Sequence, residues 1–354
     1  MPRVCATKSA VWRMGVPQMS KWFEKKGTDD DVVVSSRVRL ARNVKGVPFP
    51  GRMDEKQAAG MLDRVQEALN ASGTLKFTRH DFHKMNNLQR GAMTERHLVS
   101  RELANGTLPR GVFLSEDEGA SIMVNEEDHL RIQVIGSGMC AAACLEDAKR
   151  LDKLLDESLG FAFDEKRGYL TACPTNLGCG LRVSVMLHLP AMTESGGIRE
   201  VMSAAAKVGL TVRGMYGEGT RAAGALYQVS NALSLGYTER EILERLETAV
   251  RSIIEGERTL RRRLAKDNRA YLENRVYRAL ALLRSARIIS SEEALSLLSD
   301  ARLGAGVIDG INTGIIDRLL WEIGPCNVSL QDKKASSAES RDVVRAEIVR
   351  AALA

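Results

Sequence analysis

Short runs in which apolar and polar residues alternate fill the chain from about residue 31 to 255: DVVVSS, GVFL, SIMV, HLRIQVI, GYLTAC, LRVSVMLHL and LTVRGMY each read as β-strand. Between them, Asp54 to Leu69 and Ile198 to Val208 carry apolar residues at the helical period. Over 112–135 and 169–189 strands follow one another with no helix between, which favours an antiparallel sheet with helices over one face. The expected class is therefore α+β rather than a doubly wound parallel sheet. After Gly256 the pattern becomes helical and arginine-rich, with Leu260, Leu264, Tyr271, Leu272, Val276, Leu280 and Leu283 forming an apolar stripe under a basic face. Ser290 with Glu293 reads as a capping box, Gly324-Pro325 ends a helix, and KKASSAES reads as a flexible link to a last helix over roughly 340–353. The shifts divide the chain into an N-terminal extension (1–30), a mixed domain (31–256) and an all-helical C-terminal domain (257–354).

A length of 354 residues is enough for two cores. With 44% hydrophobic and 27% charged residues, and no apolar run long enough for a bilayer, a membrane protein is not expected. The N-terminus lacks an apolar segment followed by a small-residue cleavage site, so the expected location is cytoplasmic. Residues before MSKWFEKKG show no periodicity, which makes Met19 as well as Met1 a candidate start. Six cysteines at 5, 140, 144, 173, 179 and 326 match neither CxxC nor a His-paired spacing, so no zinc site or disulfide framework is expected. The net charge of +6 and pI near 9.0 suit nucleic acid, acidic partners or phosphate ligands alike.

The polar positions narrow this. VNEEDHLRI (124–132) crowds Glu126, Glu127 and Asp128 between two strand-like runs, although like charges repel and strand packing does not ask for them. In SSRVRLARN (35–43) the alternation sends Arg37 and Arg39 to one face. In RVSVMLH (182–188) Arg182, Ser184, Met186 and His188 face one way and Val183, Val185 and Leu187 the other. RGMYGEGT (213–220) ends a strand at Arg213, turns through three glycines carrying Glu218, and is expected to start a helix capped by Thr220. With Arg131, this makes five arginines on strands or strand ends, where planar forks can be held rigidly against phosphate oxygens. Solvated or carboxylate-paired arginines remain the plain alternative. No Walker loop is present, and Gly217, Gly219 and Ala222 give only a loose GxGxxA with no acidic residue ending a following strand.

Five stretches in order, SSRVRLARN, ERHLVSREL (95–103), VNEEDHLRI, GYLTACPTNLGCGLRVSVMLHLP (168–190) and RGMYGEGTRAAGALYQVSN (213–231), resemble the catalytic domain of the phosphagen kinase (ATP:guanido phosphotransferase) superfamily. No helical N-terminal domain of the phosphagen kinase kind precedes them and a helical C-terminal region follows. That arrangement, with RDVVRA (341–346), is similar to the bacterial protein arginine kinase (McsB) family. The resemblance implies a creatine kinase/glutamine synthetase-like antiparallel sheet flanked by helices. It also implies transfer of the ATP γ-phosphoryl group, with Mg²⁺, to arginine side chains of proteins, marking them for quality control or degradation in a stress response.

The resemblance further implies that Ser35, Ser36, Arg37, Val38, Arg39, Arg131, Arg182, Val183, Ser184, Val185, Met186, Arg213, Gly214, Met215, Tyr216, Gly217 and Glu218 surround ATP, with His97 at its base. Glu127 would grip the guanidinium and take its proton, with Glu218 as second carboxylate and Cys173 beside them. Glu126 would support, through water to Mg²⁺, and Asp128 would be a turn residue. Cys179 stands where the family pattern has Thr, which would bring a second thiol near the nucleotide loop. Arg341, Asp342, Val343, Val344, Arg345 and Ala346 would form an allosteric phosphoarginine site, and an activator protein, a Clp-type chaperone or protease and self-association would follow. The chemistry agrees: a guanidinium with a pKa above 12 is a poor nucleophile until a carboxylate draws off its proton. Spacing alone favours a solvated helix for RDVVRA, with Asp342 pairing Arg341 or Arg345. Two alternatives remain: a kinase of a small free guanidino compound, and a degenerate kinase whose basic helices, including Arg261, Arg262 and Arg263, bind nucleic acid.

Overall fold

A computed structural model of the chain describes residues 21–71, 73, 75–215 and 222–354. The elements are β1 (Val33–Arg42), α1 (Glu55–Ala71), β2 (Phe77–Asp81), α2 (Asn87–Glu95), α3 (Arg101–Asn105), β3 (Gly111–Ser115), β4 (Ala120–Val124), β5 (Leu130–Ser137) and α4 (Ala141–Leu159). They continue with β6 (Phe163–Asp164), β7 (Gly168–Tyr169), β8 (Leu181–His188), α5 (Pro190–Glu194), α6 (Ile198–Lys207), β9 (Leu210–Gly214) and β10 (Leu226–Asn231). The remainder is helical: α7 (Glu239–Asp267), α8 (Arg269–Ser285), α9 (Ser291–Leu303), α10 (Thr313–Glu322), α11 (Pro325–Gln331) and α12 (Ala338–Leu353).

Eight strands form one antiparallel sheet in the order β2-β3-β4-β5-β1-β8-β10-β9. The period of two decides its faces. Val38, Leu40, Ile132, Val183, Val185, Leu187 and Val229 turn into a core closed by α1, α4 and α7. The intervening positions Arg37, Arg39, Arg131, Arg182, Ser184 and Gln228 turn the other way. The second core lies among α8, α9, α10 and α12, with Leu272, Val276, Leu280 and Leu283 of the expected stripe buried in it and Tyr271 left exposed. The change in character near Gly256 falls inside α7, which runs unbroken from Thr238, its capping residue, to Asp267. Its first turns pack on the sheet and its last turns on the helical core.

Three local expectations need correction. GYLTAC is strand only at Gly168–Tyr169; beyond it Pro174–Asn176 forms a 3-10 turn in a loop that runs to β8. The helix expected from Thr220 is not there: residues 216–221 lie outside the described residues, 223–225 are a single 3-10 turn, and 226–231 are β10, whose partners β8 and β9 supply hydrogen bonds that a helix would forgo. KKASSAES is no flexible link, because Ala335 is buried with Val328 and Val344, and Ser337 caps α12 by accepting from the Ser340 N–H.

Candidate active site

Four of the five arginines, Arg39, Arg131, Arg182 and Arg213, line one open cleft of about 730 Å³ with Glu126, Glu127 and Cys173. Antiparallel register brings them together, since Arg39 lies opposite Arg182 across β1 and β8, Ala41 opposite Arg131, and Gln228 opposite Arg213. Arg37 stands behind them, donating from Nη2 to Gln228 Oε1 at 2.9 Å. Arg182 donates from Nη2 to Ser230 Oγ at 3.3 Å. Among the described residues no carboxylate lies within ion-pair distance of Arg37, Arg39, Arg182 or Arg213, and Nε of Arg39 and of Arg182 is buried without a hydrogen-bond partner. Burial, followed by repulsion from Arg182 and Arg131, pushes the Arg37 guanidinium down to about 10. Arg39 is pushed well below its ordinary value by burial and then by Arg37, Arg131 and Arg182. Cations clustered in this way, with only Arg131 paired to a carboxylate among the described residues, suit a polyanion, whose oxygens would supply acceptors for the forks.

The three crowded acids have three fates. Asn125 takes a left-handed conformation (φ 61°), closing a turn in which its N–H donates to His129 O at 2.9 Å. Glu126 is buried on Arg131, at 2.7 Å from Nη1, and accepts from Ser100 Oγ. Glu127 stays open to the cleft, with its carboxylate 3.5 Å from Arg131 Nη2 and its side chain 43% exposed. Asp128 is more than a turn residue: it is buried, and Oδ1 accepts from Asn43 Nδ2 at 2.6 Å and from the Ala172 N–H at 2.7 Å. It thus ties the acidic turn to the loop carrying Cys173. That loop is closed by glycines at close approach, since a Cβ on Gly178 (φ +105°) would meet the Leu235 backbone at 2.9 Å. His129 belongs to the core, where Nδ1 accepts from the Val44 N–H at 2.9 Å and Nε2 faces Pro48 O at 2.6 Å.

Other expected site residues are placed less simply. Val38, Val183 and Val185 turn their side chains into the helix-covered core, away from the cleft, because they alternate with the arginines. Ser35 and Ser36 are buried, and Ser36 Oγ is committed to structure, donating to Gly138 O at 2.8 Å and accepting from the Cys140 N–H at 3.1 Å. Ser184 Oγ lies 3.5 Å from Arg37 O. Met186 and Met215 pack in an apolar cluster with Trp22 and Trp321. Gly214 ends β9; Tyr216, Gly217 and Glu218 lie outside the described residues, so the second carboxylate has no described position. Cys173 lines the cleft, with Sγ 3.1 Å from Thr175 Oγ1. Cys179 turns instead toward Ser234 O, at 3.8 Å, and burial pushes its thiol up, so among the described residues no second thiol lines the cleft. Glu102, Arg110, Asn176 and Gln228 also line the cleft without having been anticipated; only fold contacts reveal them. Among the described residues no cluster of three metal-ligating side chains occurs, and no helix is long and apolar enough to cross a membrane.

His97 has φ 58° and presents its ring edge-on to Trp321, at 4.9 Å between centroids. Burial and then Arg37, Arg39 and Arg101 push its imidazole down to about 3. His188, buried between Ser299 and Arg261, is pushed well below the ordinary value by burial and by Arg302, Arg261 and Arg275. Both rings are neutral in the fold, whereas the unfolded chain takes up protons near pH 6.5. Below that pH the unfolded state binds more protons, so stability rises with pH and is lost as pH falls. Urea midpoints should therefore drop from pH 7.5 to 5.5, with a slope below pH 6.5 of up to about 1.4 kcal/mol per pH unit per histidine; a flat profile would mean that neither ring is held neutral.

The chain matches the model of the ATP:guanido phosphotransferase C-terminal catalytic domain over residues 60–260 and that of the protein-arginine kinase McsB C-terminal domain over residues 269–354. It is 42% identical to the protein-arginine kinase of Halothermothrix orenii, covering 95% of this chain and 97% of that one. It is 44% identical to that of Moorella thermoacetica, covering 96% and 99%. Among solved structures it is similar to a lombricine kinase, with TM-score 0.59, 26% identity and coverage of 69% of this chain and 72% of that one. The duplicated taurocyamine kinase of Schistosoma mansoni shares the fold, with TM-score 0.59, 24% identity and coverage of 77% and 40%.

Proposed function

Since the chain belongs to the protein-arginine kinases of the ATP:guanido phosphotransferase family, we propose that this cleft carries the transfer of the ATP γ-phosphoryl group to arginine side chains of proteins. The observation behind the residue roles is the meeting, in one cleft, of an exposed carboxylate with Arg39, Arg182 and Arg213, which have no counter-charge among the described residues. Arg37, Arg39, Arg131, Arg182 and Arg213 hold the phosphates, steadying charge on the γ-phosphoryl oxygens as it passes through a loose transition state. Glu127 orients the incoming guanidinium and accepts its proton as the N–P bond forms, with ADP leaving; Glu218 serves as second carboxylate and Cys173 borders the guanidinium. His97 lies at the nucleotide base. Mg²⁺ fits as an ion carried on the phosphates, with few protein ligands, and supplies further charge neutralisation when bound.

Incubation of the full chain with ATP, Mg²⁺ and casein should give acid-labile phosphate on arginine by mass spectrometry. Turnover of free arginine with none on protein would transfer the reading to a small guanidino substrate. Of the three arginines named for the nucleic-acid alternative, Arg261 is unavailable, being 1% exposed and donating to Glu257 and to Asp31 O at 2.8 Å each, while Arg262 and Arg263 are exposed.

The motif RDVVRA is proposed as a phosphoarginine sensor, with its two arginines in different roles. Arg345 is buried, donating to Ile323 O and Ile289 O at 2.9 Å each and pairing with Asp342, so it braces three elements rather than lining a solvated face. Arg341 is half-exposed, with no ion pair among the described residues, and is the group left for a ligand. Val344 and Ala346 are buried and Val343 is exposed. Arg345→Ala should cost about 3–5 kcal/mol in urea unfolding, as a buried pair loses one partner. Arg341→Ala should stay within about 0.5 kcal/mol yet lose any response to added phosphoarginine. An activator protein, a Clp-type partner and self-association remain inferences from the family; exposed Tyr277 and Leu282 on α8, with Ile288 just beyond its end, offer a surface for such contacts.

A further inference from the structure

We propose that Trp321, on α10 of the helical C-terminal region, is a positioning residue for the nucleotide site, holding the His97 ring in place. The proposal rests on the reading that His97 meets the nucleotide base. Trp321 is 1% exposed, and besides His97 its ring meets Trp22 at 5.2 Å. Around it lie Val34, Ile135, Met186 and Leu226, from the four adjacent strands β1, β5, β8 and β10, with Met215 packed against them. The wall behind His97 is therefore built by the catalytic sheet and the C-terminal helices together.

Three observations indicate that His97 is held rather than merely adjacent. A histidine at φ 58° occupies a conformation that persists when its surroundings over-determine it. Its carbonyl accepts from Gln133 Nε2 at 2.8 Å and its N–H donates to Thr94 O at 3.1 Å, so the backbone is tied at both polar groups. The ring is then fixed by its T-shaped contact with the indole, worth a modest preference beyond area burial. The indole itself cannot drift, because α10 is anchored twice. Asp317 accepts from Arg302 Nε at 2.7 Å while Arg302 Nη1 and Nη2 hold Asp31 O and Asp30 O ahead of β1, and Arg345 caps Ile323 O at the far end. No hydrogen-bond partner for Trp321 Nε1 occurs among the described residues. The indole therefore serves by its shape and π-face, and phenylalanine is a fair probe of what it does.

The test is steady-state kinetics of the full chain with ATP as the varied substrate, for Trp321→Phe, His97→Ala and the double variant. Trp321→Phe should raise the KM for ATP about two- to tenfold with little change in kcat, and should add nothing in the His97→Ala background. An unchanged KM in Trp321→Phe beside a raised KM in His97→Ala overturns this proposal alone. Additive effects also overturn it, since the indole would then act independently of His97. An unchanged KM in His97→Ala removes both the base-site reading and the proposal. Should the phenylalanine variant not fold, protein carrying Trp12→Phe and Trp22→Phe keeps Trp321 as the one indole of the three in the sequence. Its emission should change on titration with ADP, and an unaltered emission overturns the proposal.

Discussion

Glu127→Gln should lower the turnover of protein-arginine phosphorylation by about 10²–10⁴-fold, with the KM for ATP nearly unchanged. Glutamine keeps the length and the oxygen acceptor that orient a guanidinium, but it cannot take a proton from it. The loss therefore falls on the chemical step. The structure separates this residue from its neighbours: Glu126 is consumed by Arg131 and Ser100, and Asp128 by Asn43 and Ala172, while of the two acids that line the cleft Glu127 is the exposed one, 3.5 Å from Arg131 Nη2. Single-turnover measurement with saturating ATP reads the step directly. A Glu127→Gln protein with turnover within tenfold of the parent would move the base to another residue. Asp128→Asn should behave differently, because its carboxylate positions the Cys173 loop and any loss would come with altered stability.

Arg182→Met should lower kcat/KM for ATP by about 10²–10³-fold, while the melting temperature of the nucleotide-free protein holds or rises. Arg182 is pushed below its ordinary value by burial and then by Arg213 and Arg131. A base whose pKa falls on folding is one whose charged form destabilises the fold at all pH values below that pKa, so removing the charge relieves a cost. The same charge serves the polyanion that the cleft takes up. Activity and stability should thus move in opposite directions, and differential scanning calorimetry beside initial rates tests both. A melting temperature several degrees lower would mean that the guanidinium is paired within the fold and that the cleft is less uncompensated than its geometry indicates.

Much of the site was legible because strand periodicity is simple: alternation in SSRVRLAR and RVSVMLH places the arginines on one face and the valines on the other before any coordinates exist. Ser290 caps α9 by accepting from the Glu293 N–H, a local hydrogen bond that the sequence also signals. Local signals misled where the outcome is decided by distant partners. ALYQVSN follows a glycine-rich turn and invites a helix, yet the open edges of β8 and β9 take it as a strand between them. KKASSAES looks like a linker, and becomes ordered because Ala335 fills a space between α11 and α12.

What the sequence by itself determined is the set of chemical groups and the faces they point from, since both follow from residue type and from periods of two and 3.6. Register and burial came only with the tertiary structure: which acid of three is free, that Arg345 is a brace while Arg341 is open, and that a tryptophan more than 220 residues downstream supports His97. The reason is that a side chain's charge is local, while its partner and its access to solvent are set by whatever the rest of the chain packs against it.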